Sequence, residues 1–312
     1  MKYLYVRPVF LWLSAVAVMF LGACTSEVPS TSETAEAISF GVPQTRAAVE
    51  TANDMDAFSV WGWYTDTETG GNPVSVFNKT RVAQASGWNY EGGTRYWIPG
   101  KTYRFYGVYP HGLENVEVTS DGITITDFDC SATGENAVDL MTAFATGDGD
   151  NPQTVNMQFG HELARVSIVV RSRFADAELS EVRLYGMAVK GGLSVSEAHS
   201  SWDVKVEDLV TYESTPYRLS SYSIEMGKDF NLWGDLLVIP QAVDGLKLKV
   251  QYTIGGQSQE SEVSLVTPTL KEWVASQSYR YILTLESDGI LFENLTADAW
   301  GETSSGGSII IP

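Results

Sequence analysis

Apolar and polar residues alternate in many short runs along the chain, and Gly, Asp, Asn and Pro separate these runs. The clearest run is 246–253, in which the even positions are apolar and the odd positions are polar. Alternation with a period of two predicts a β-strand with one buried face. Gly255-Gly256 comes next and predicts a hairpin turn into a second strand at 257–266. The one helix that we predict lies somewhere within 270–276.

Two runs carry apolar or aromatic residues on both faces. They are 57–64 (AFSVWGWY) and 102–109 (TYRFYGVY). Such a strand is expected in the centre of a sheet that is covered on both sides. Further strands are predicted at 123–125, 138–145, 155–170, 182–189, 202–206, 217–219, 236–239, 279–285 and 290–295. This succession of short strands predicts an all-β fold of the sandwich type.

The length of the chain predicts two such sandwiches. Removing a 23-residue signal peptide from the 312 residues leaves 289, which is near the size at which one hydrophobic core divides into two. The pattern of short strands starts again after about 155–162. We therefore predict a signal peptide at 1–23, a leader at 24–46, an N-terminal β-sandwich domain at 47–158 and a C-terminal β-sandwich domain at 159–312.

The first residues have the features of an export signal. Lys2 and Arg7 precede an apolar run at 9–21, which is too short to span a bilayer comfortably. The following Leu21-Gly22-Ala23-Cys24 resembles the bacterial lipobox, which implies cleavage before Cys24 and acylation of its thiol. Acyl chains would then hold the chain on a membrane. The alternative is an ordinary secretory signal with a chance cysteine.

Charge and cysteine content narrow the classes of partner. The formal net charge is −19, and loss of the two basic leader residues makes it −21. A charge of this sign argues against nucleic acid as a partner. Cys130 is the only cysteine after Cys24, so no intramolecular disulfide is predicted in the processed chain.

The sequence selects no catalytic or metal site. His111, His161 and His199 lie far apart and lack metal-ligand spacing, and His161 is interpreted as a structural hydrogen-bonding residue. The segment 148–151 (DGDN) is similar to the start of a calcium loop but lacks its later Gly and Glu, which favours an acidic turn. We predict a non-enzyme that needs no cofactor.

Four tryptophans are candidates for a sugar platform, although core packing is the favoured interpretation: Trp61, Trp63, Trp88 and Trp97.

The stretch 24–46 joins the lipidation signal to a candidate protease site at Arg46. Between them, 37–42 (AISFGV) is β-prone within a segment otherwise rich in Ser, Thr, Glu and Pro. If 37–42 is a strand of the folded domain, cleavage at Arg46 would leave a gap in a sheet. Such a gap can accept a strand from another subunit.

Several short motifs, in this order, resemble the fimbrillin (Mfa-like) family of Bacteroidales, and the resemblance covers most of the mature chain. The motifs are the lipobox, Thr45-Arg46-Ala47, 97–103 (WIPGKTY), 159–166 (FGHELARV), 239–241 (IPQ) and 279–283 (YRYIL). The family consists of surface fimbria subunits and their anchoring or tip components. The resemblance implies two transthyretin-like β-sandwich domains, which assemble by strand exchange after an Arg-specific protease removes the N-terminal strand.

Carried onto this chain, the resemblance assigns specific residues. Cys24 is the expected lipidation site, and Arg46–Ala47 is the expected processing bond. The exchanged strand is expected at Ile38, Ser39, Phe40, Gly41 and Val42. A possible donor strand is the apolar end of the C-terminal tail, Ile309, Ile310 and Ile311, which is equally an edge-strand candidate.

The expected partners are other fimbrial subunits in a homo- or hetero-polymer, the outer membrane through the lipid anchor, and a host or bacterial surface ligand. The sequence does not separate a stalk subunit from an anchor or tip subunit. A surface glycan-binding lipoprotein of a polysaccharide-uptake system is the alternative function.

Overall fold

The computed structural model describes residues 35–43 and 55–300. Within these residues the chain forms twenty strands and two short 3-10 turns, Gly134–Asn136 and Val206–Asp208. The prediction of an all-β fold is confirmed. No helix in this part of the chain has the length and apolar character needed to cross a membrane.

Except for β3 and β20, the described strands have at most ten residues, as the frequent turn residues predict. In the first half they are β1 (Phe40–Gly41), β2 (Ala57–Asp66), β3 (Gly70–Gln84), β4 (Trp88–Tyr90), β5 (Lys101–Tyr109), β6 (Val116–Thr119), β7 (Gly122–Asp129), β8 (Met141–Asp148), β9 (Val155–Asn156) and β10 (Gly160–His161). In the second half they are β11 (Ala164–Ser172), β12 (Glu178–Tyr185), β13 (Lys190–Val195), β14 (Ser200–Asp203), β15 (Arg218–Ser223), β16 (Phe230–Val238), β17 (Lys247–Ile254), β18 (Gln257–Ser264), β19 (Gln277–Glu286) and β20 (Gly289–Ala299).

The N-terminal half is built around a sheet with the strand order β10-β8-β5-β2-β3-β4. Its central strands β2 and β5 are buried on both faces over 57–62 and 105–108. In β5, Tyr103 and Phe105 enter one apolar cluster, whereas Tyr106 and Val108 enter another on the opposite face. The prediction that 57–64 and 102–109 are central strands is therefore confirmed, because a strand covered on both sides needs no polar face.

The C-terminal half contains two four-stranded sheets, β16-β11-β19-β20 and β15-β12-β17-β18. The alternation in 246–253 is confirmed, since Leu248, Val250 and Tyr252 are fully buried while Lys247 is exposed. These side chains share a core with the inward residues of β11 and β19. The two sheets therefore face each other as a β-sandwich.

A fourth sheet contains strands from both halves of the sequence, in the order β14-β13-β7-β6. β7 pairs with β13, so that Ile125 lies opposite Leu193.

The predicted strand 155–170 is divided into β9, β10 and β11. Met157 and Phe159 pack in the apolar cluster that contains Tyr103 and Phe105, which we call the N-terminal core. Leu163 packs in the other cluster, which contains Tyr106 and Val108. The chain therefore passes from one cluster to the other between Phe159 and Leu163. The boundary between domains at 158–159 stays a prediction.

The predicted helix within 270–276 is wrong. Ala242 and Glu272 form an isolated β-bridge, and the backbone N–H of Trp273 donates to the carbonyl oxygen of Gln241 at 2.9 Å. The buried Trp273 indole N–H donates to the hydroxyl of Tyr281 at 3.1 Å. The segment thus forms its hydrogen bonds with neighbouring strands and loops, and tertiary packing overrides its local helical tendency.

Cys130 is expected to be chemically inert in the folded protein. Its side chain is buried, and this burial raises the pKa of the thiol to about 12. Because the thiolate is the reactive form, we expect an aromatic disulfide reagent at pH 8 to modify the chain from Thr25 at least about a thousandfold more slowly when folded than in guanidinium. Equal rates in the two conditions would contradict the buried position of Cys130.

Candidate functional site

The β-prone segment predicted to be exchanged lies inside the fold as an inserted strand. Along one edge it pairs with the chain that follows β4. The backbone N–H of Ile38 donates to the carbonyl oxygen of Arg95 at 2.8 Å, and that of Trp97 donates to the carbonyl oxygen of Glu36 at 2.9 Å. Two backbone hydrogen bonds therefore hold this edge.

The other edge of the segment pairs with a part of the chain more than a hundred residues away. β1 lies parallel to β9. The backbone N–H of Val155 donates to the carbonyl oxygen of Ser39, and that of Met157 donates to the carbonyl oxygen of Gly41, both at 2.8 Å. We call the space between residues 95–97 and 155–157 the acceptor groove, and residues 36–41 that fill it the inserted strand.

The side chains of the inserted strand alternate between core and solvent. Ile38 is 1% exposed and Phe40 is 5% exposed, whereas Ser39 between them is exposed. The Phe40 ring makes edge-to-face contacts, with centroids 5.2 to 6.4 Å apart, with four rings of the N-terminal core: Phe58, Phe77, Tyr90 and Phe105. The inserted strand therefore completes the N-terminal core.

Two glycines at the end of β8 leave room for the neighbouring chain beside the groove, Gly147 within the strand and Gly149 directly after it. A Cβ at Gly147 would lie 2.4 Å from the Trp97 ring, and a Cβ at Gly149 would lie 1.9 Å from the carbonyl oxygen of Ile98. Neither position tolerates a side chain without movement of its neighbour. The sequence Gly147-Asp148-Gly149 therefore fixes how closely 97–98 approaches β8.

The carboxylates of the acidic turn accept hydrogen bonds from backbone amides. Asp148 Oδ1 accepts from the N–H of Asp150 at 2.9 Å, and Asp150 Oδ1 accepts from the N–H of Gly100 at 2.8 Å. Residues 35–43 and 55–300 contain no group of three or more potential metal ligands. The hydrogen bond between Gly100 and Asp150 joins the acidic turn to the loop that leads into β5.

An ion pair lies near this turn, at the ends of β2 and β5. Lys101 Nζ lies 2.7 Å from Asp66 Oδ2. The hydrogen bond from Lys101 lowers the pKa of the Asp66 carboxyl, and backbone N–H groups of Thr69 and Glu68 lower it further. Asp66 therefore stays ionised and helps to fix the turn between β2 and β3.

Arg95 is a site residue that the sequence did not single out. Its Nε donates to the carbonyl oxygen of Val76 at 2.7 Å, and Nη1 donates to that of Gly93 at 2.9 Å. Its guanidinium lies 4.6 Å from the centroid of the Phe77 ring. These contacts hold the groove edge that receives Ile38, and no local sequence signal distinguishes this arginine from a solvated one.

His161 occupies a structural position, as its interpretation predicts. Nδ1 lies 2.9 Å from Asp139 Oδ1, and the ring stacks on Trp300 with a centroid distance of 3.9 Å. The hydroxyl of Ser276 donates to the carbonyl oxygen of His161 at 2.9 Å. These contacts fix Trp300, the last described residue before the C-terminal tail.

The other predicted site residues lie outside the described residues. They are Cys24, Arg46, Ala47, Ile309, Ile310 and Ile311. Of the predicted exchanged strand, Val42 is half-buried against the N-terminal core. Trp61 and Trp97 are buried, and Trp63 and Trp88 pack partly buried against the two cores, as core packing predicts.

Comparison with known proteins identifies relatives of this fold. The family model described as fimbrillin-like matches residues 45–300. A putative cell adhesion protein from Bacteroides uniformis is 17% identical, with a TM-score of 0.51 over 86% of this chain and 99% of that chain. A putative cell adhesion protein from Bacteroides ovatus is 14% identical, with a TM-score of 0.51 over 85% of this chain and 97% of that chain.

The tip fimbrial protein Mfa3 from Porphyromonas gingivalis is 10% identical, with a TM-score of 0.38 over 79% of this chain and 94% of that chain, too low a score to carry an argument. None of the curated proteins is a significant match to the sequence. Because the family model spans most of the sequence, including β2 to β20, the chain belongs to the fimbrillin-like family.

Proposed function

We propose that this protein is a structural or accessory subunit of a bacterial surface fimbria, that it has no catalytic role, and that it assembles by strand exchange in the acceptor groove. The observation that supports the proposal most strongly is the inserted strand itself. It is hydrogen-bonded on both edges and supplies Ile38 and Phe40 to the N-terminal core. Its removal would open a socket in the fold.

The energetics of this socket favour a replacement strand over an empty groove. Loss of the inserted strand would free four backbone partners, each hydrogen bond contributing about 1 kcal/mol net. It would also remove two large apolar side chains from the core, each contributing about 1.5–3 kcal/mol when buried. A strand from another subunit would restore both contributions, less the entropy of ordering it.

Export and processing complete the proposal. Cys24 carries the lipid that places the chain on the outer membrane, and cleavage of the Arg46–Ala47 bond separates the inserted strand from the rest of the chain. The C-terminal tail, with Ile309, Ile310 and Ile311, supplies the donor strand to a neighbouring subunit. The fibre then presents its surface to host or bacterial ligands and supports adhesion.

Limited proteolysis tests the proposal. The chain from Thr25 is treated briefly with trypsin, the new N-terminus is identified by mass spectrometry, and oligomer size is followed over days. We expect cleavage after Arg46, followed by loss of the 25–46 peptide and a ladder of oligomers. The Arg46→Gln variant, which removes the cleavage site, is expected to stay monomeric.

Two outcomes would count against the proposal. Equal oligomers from the Arg46→Gln variant would show that assembly does not need release of the inserted strand. Clean cleavage of the unmodified chain with a permanently retained 25–46 peptide would show that the strand does not exchange.

A further inference from the structure

The two edges of the acceptor groove differ in what holds them. On the 155–157 side, β9 belongs to a two-stranded sheet whose other strand is β1. The N–H groups of Val155 and Met157 donate to the inserted strand, and no other strand of the described residues pairs with β9. The side chains of Val155 and Met157 are buried in the N-terminal core. Without the inserted strand, this edge would keep its side-chain packing but lose its backbone partners.

The 95–97 edge is held by side chains of the neighbouring strands. The backbone N–H of Arg95 donates to the hydroxyl of Tyr90 at 2.9 Å, and that of Ile98 donates to the hydroxyl of Tyr103 at 2.9 Å. Tyr90 lies in β4 and Tyr103 lies in β5, so neither bond involves the inserted strand. Both ends of this edge would therefore keep these partners in an empty groove.

The Arg95 side chain joins this edge to the β3–β4 hairpin. Its Nε and Nη1 donate to the carbonyl oxygens of Val76 and Gly93 at 2.7 and 2.9 Å. Its guanidinium lies 4.6 Å from the centroid of the Phe77 ring and 5.6 Å from that of the Tyr90 ring. These partners lie in β3, in β4 and in the loop after β4. The contacts that position Arg95 thus do not depend on the inserted strand.

An edge that is already ordered favours the binding of a strand. Ordering a backbone segment costs conformational entropy, and an edge that is fixed before binding avoids this cost. The 95–97 edge presents the carbonyl oxygen of Arg95 and the N–H of Trp97, which now pair with Ile38 and Glu36. The planar guanidinium, which donates to two carbonyl groups at once, is suited to hold these groups in place.

We propose that Arg95 is a positioning residue for strand exchange. It keeps the 95–97 edge in pairing geometry while the groove is empty, so that a strand from another subunit pairs with this edge first and with β9 second. This inference rests on the proposed strand exchange. The role of Arg95 differs from that of Ile38 and Phe40, which fill the closed groove, because Arg95 acts on the empty one.

Hydrogen exchange of the intact chain tests whether the two edges open separately. Undocking of the inserted strand exposes the amides of Val155 and Met157, whereas the amide of Arg95 stays bonded to Tyr90. After correction for intrinsic rates, we expect the Arg95 amide to exchange at least about tenfold more slowly than the other two. Equal rates for the three amides would overturn the proposal, because the two edges would then open together.

Arg95→Met removes the two side-chain hydrogen bonds and the charge but keeps an unbranched apolar stem. We expect the amide of residue 95 to exchange about tenfold faster in this variant, as the loss of one or two hydrogen bonds implies. Arg81→Met is the matched control, because Arg81 lies in the same hairpin and its guanidinium donates to Glu91 at 3.2 Å. It is expected to leave this amide within about twofold of its original rate. Equal effects of the two substitutions would overturn the role of Arg95.

Oligomer growth separates this inference from the proposed function. After cleavage at Arg46, growth relative to release of the 25–46 peptide is expected to be about tenfold slower in Arg95→Met than in Arg81→Met. A general loss of stability would speed release, whereas loss of positioning slows growth alone. If the unmodified chain never releases the peptide, strand exchange fails, and hydrogen exchange of the uncut chain still decides whether Arg95 holds the edge. If release occurs and both variants grow equally fast, the positioning role is wrong and strand exchange stands.

Discussion

Replacing Phe40 with alanine is expected to lower the free energy of unfolding by about 3–5 kcal/mol. The ring is 5% exposed and contacts four aromatic rings of the N-terminal core. Alanine at this position would leave a cavity at their meeting point, and the surrounding rings, held by β2, β3, β4 and β5, relax only partly. Urea unfolding of the chain from Thr25 measures the change.

Ser39→Ala is the matched control for Phe40→Ala. Ser39 is the next residue in the same strand, but it faces solvent, and its hydroxyl makes one exposed hydrogen bond to that of Thr154 at 3.1 Å. The expected loss is under about 0.5 kcal/mol. Equal losses of unfolding free energy for the two variants would contradict the placement of Phe40 in the core. They would also contradict the conclusion that the inserted strand completes the N-terminal core.

Replacing Gly149 with alanine is expected to lower the free energy of unfolding by about 3 kcal/mol. The added Cβ would lie 1.9 Å from the carbonyl oxygen of Ile98, and this neighbour is backbone and cannot rotate away. The loop through Ile98 must therefore move, together with its hydrogen bonds. One of these joins Gly149 N–H to the carbonyl oxygen of Lys101 at 2.8 Å.

Gly160→Ala is the control for Gly149→Ala. A Cβ at Gly160 meets no atom within 4 Å. We expect its midpoint of urea unfolding to stay close to that of the unmodified chain, while Gly149→Ala unfolds at clearly lower urea. A Gly149→Ala protein as stable as Gly160→Ala would show that the turn at 147–150 does not pack against 97–101 as described.

The strands were largely predictable because burial imposes simple patterns on them. A strand with one buried face alternates, as 246–253 does, and a strand covered on both faces carries apolar or aromatic residues at successive positions, as 105–108 does. The helix predicted within 270–276 failed because Trp273 and its backbone are bound to neighbouring strands and loops. Local periodicity contains no information about such partners.

The candidate site was predictable in position but not in geometry. The β-prone 37–42 stands out within a polar leader, and this contrast points to an inserted strand. The sequence does not say that this strand lies between 95–97 and 155–157, since both edges are formed by residues far away in the chain. The packing of Trp97 against β8 depends on Gly147, whose role appears only once β8 and the loop after β4 are packed together.

The central claim is that assembly requires the inserted strand to leave the acceptor groove, and a reversible lock tests this most directly. Ser39 and Thr154 lie on adjacent strands with their hydroxyl oxygens 3.1 Å apart, so the double variant Ser39→Cys and Thr154→Cys is placed to form a disulfide across the groove. Buried Cys130 does not compete for this bond, and the chain from Thr25 lacks Cys24.

The measurement is the oligomer size of this double variant after cleavage at Arg46, with and without reductant. We predict that the oxidised protein stays monomeric and that the reduced protein forms the same ladder as the unmodified chain. Oligomers that form equally well with the disulfide intact would contradict strand exchange in this groove.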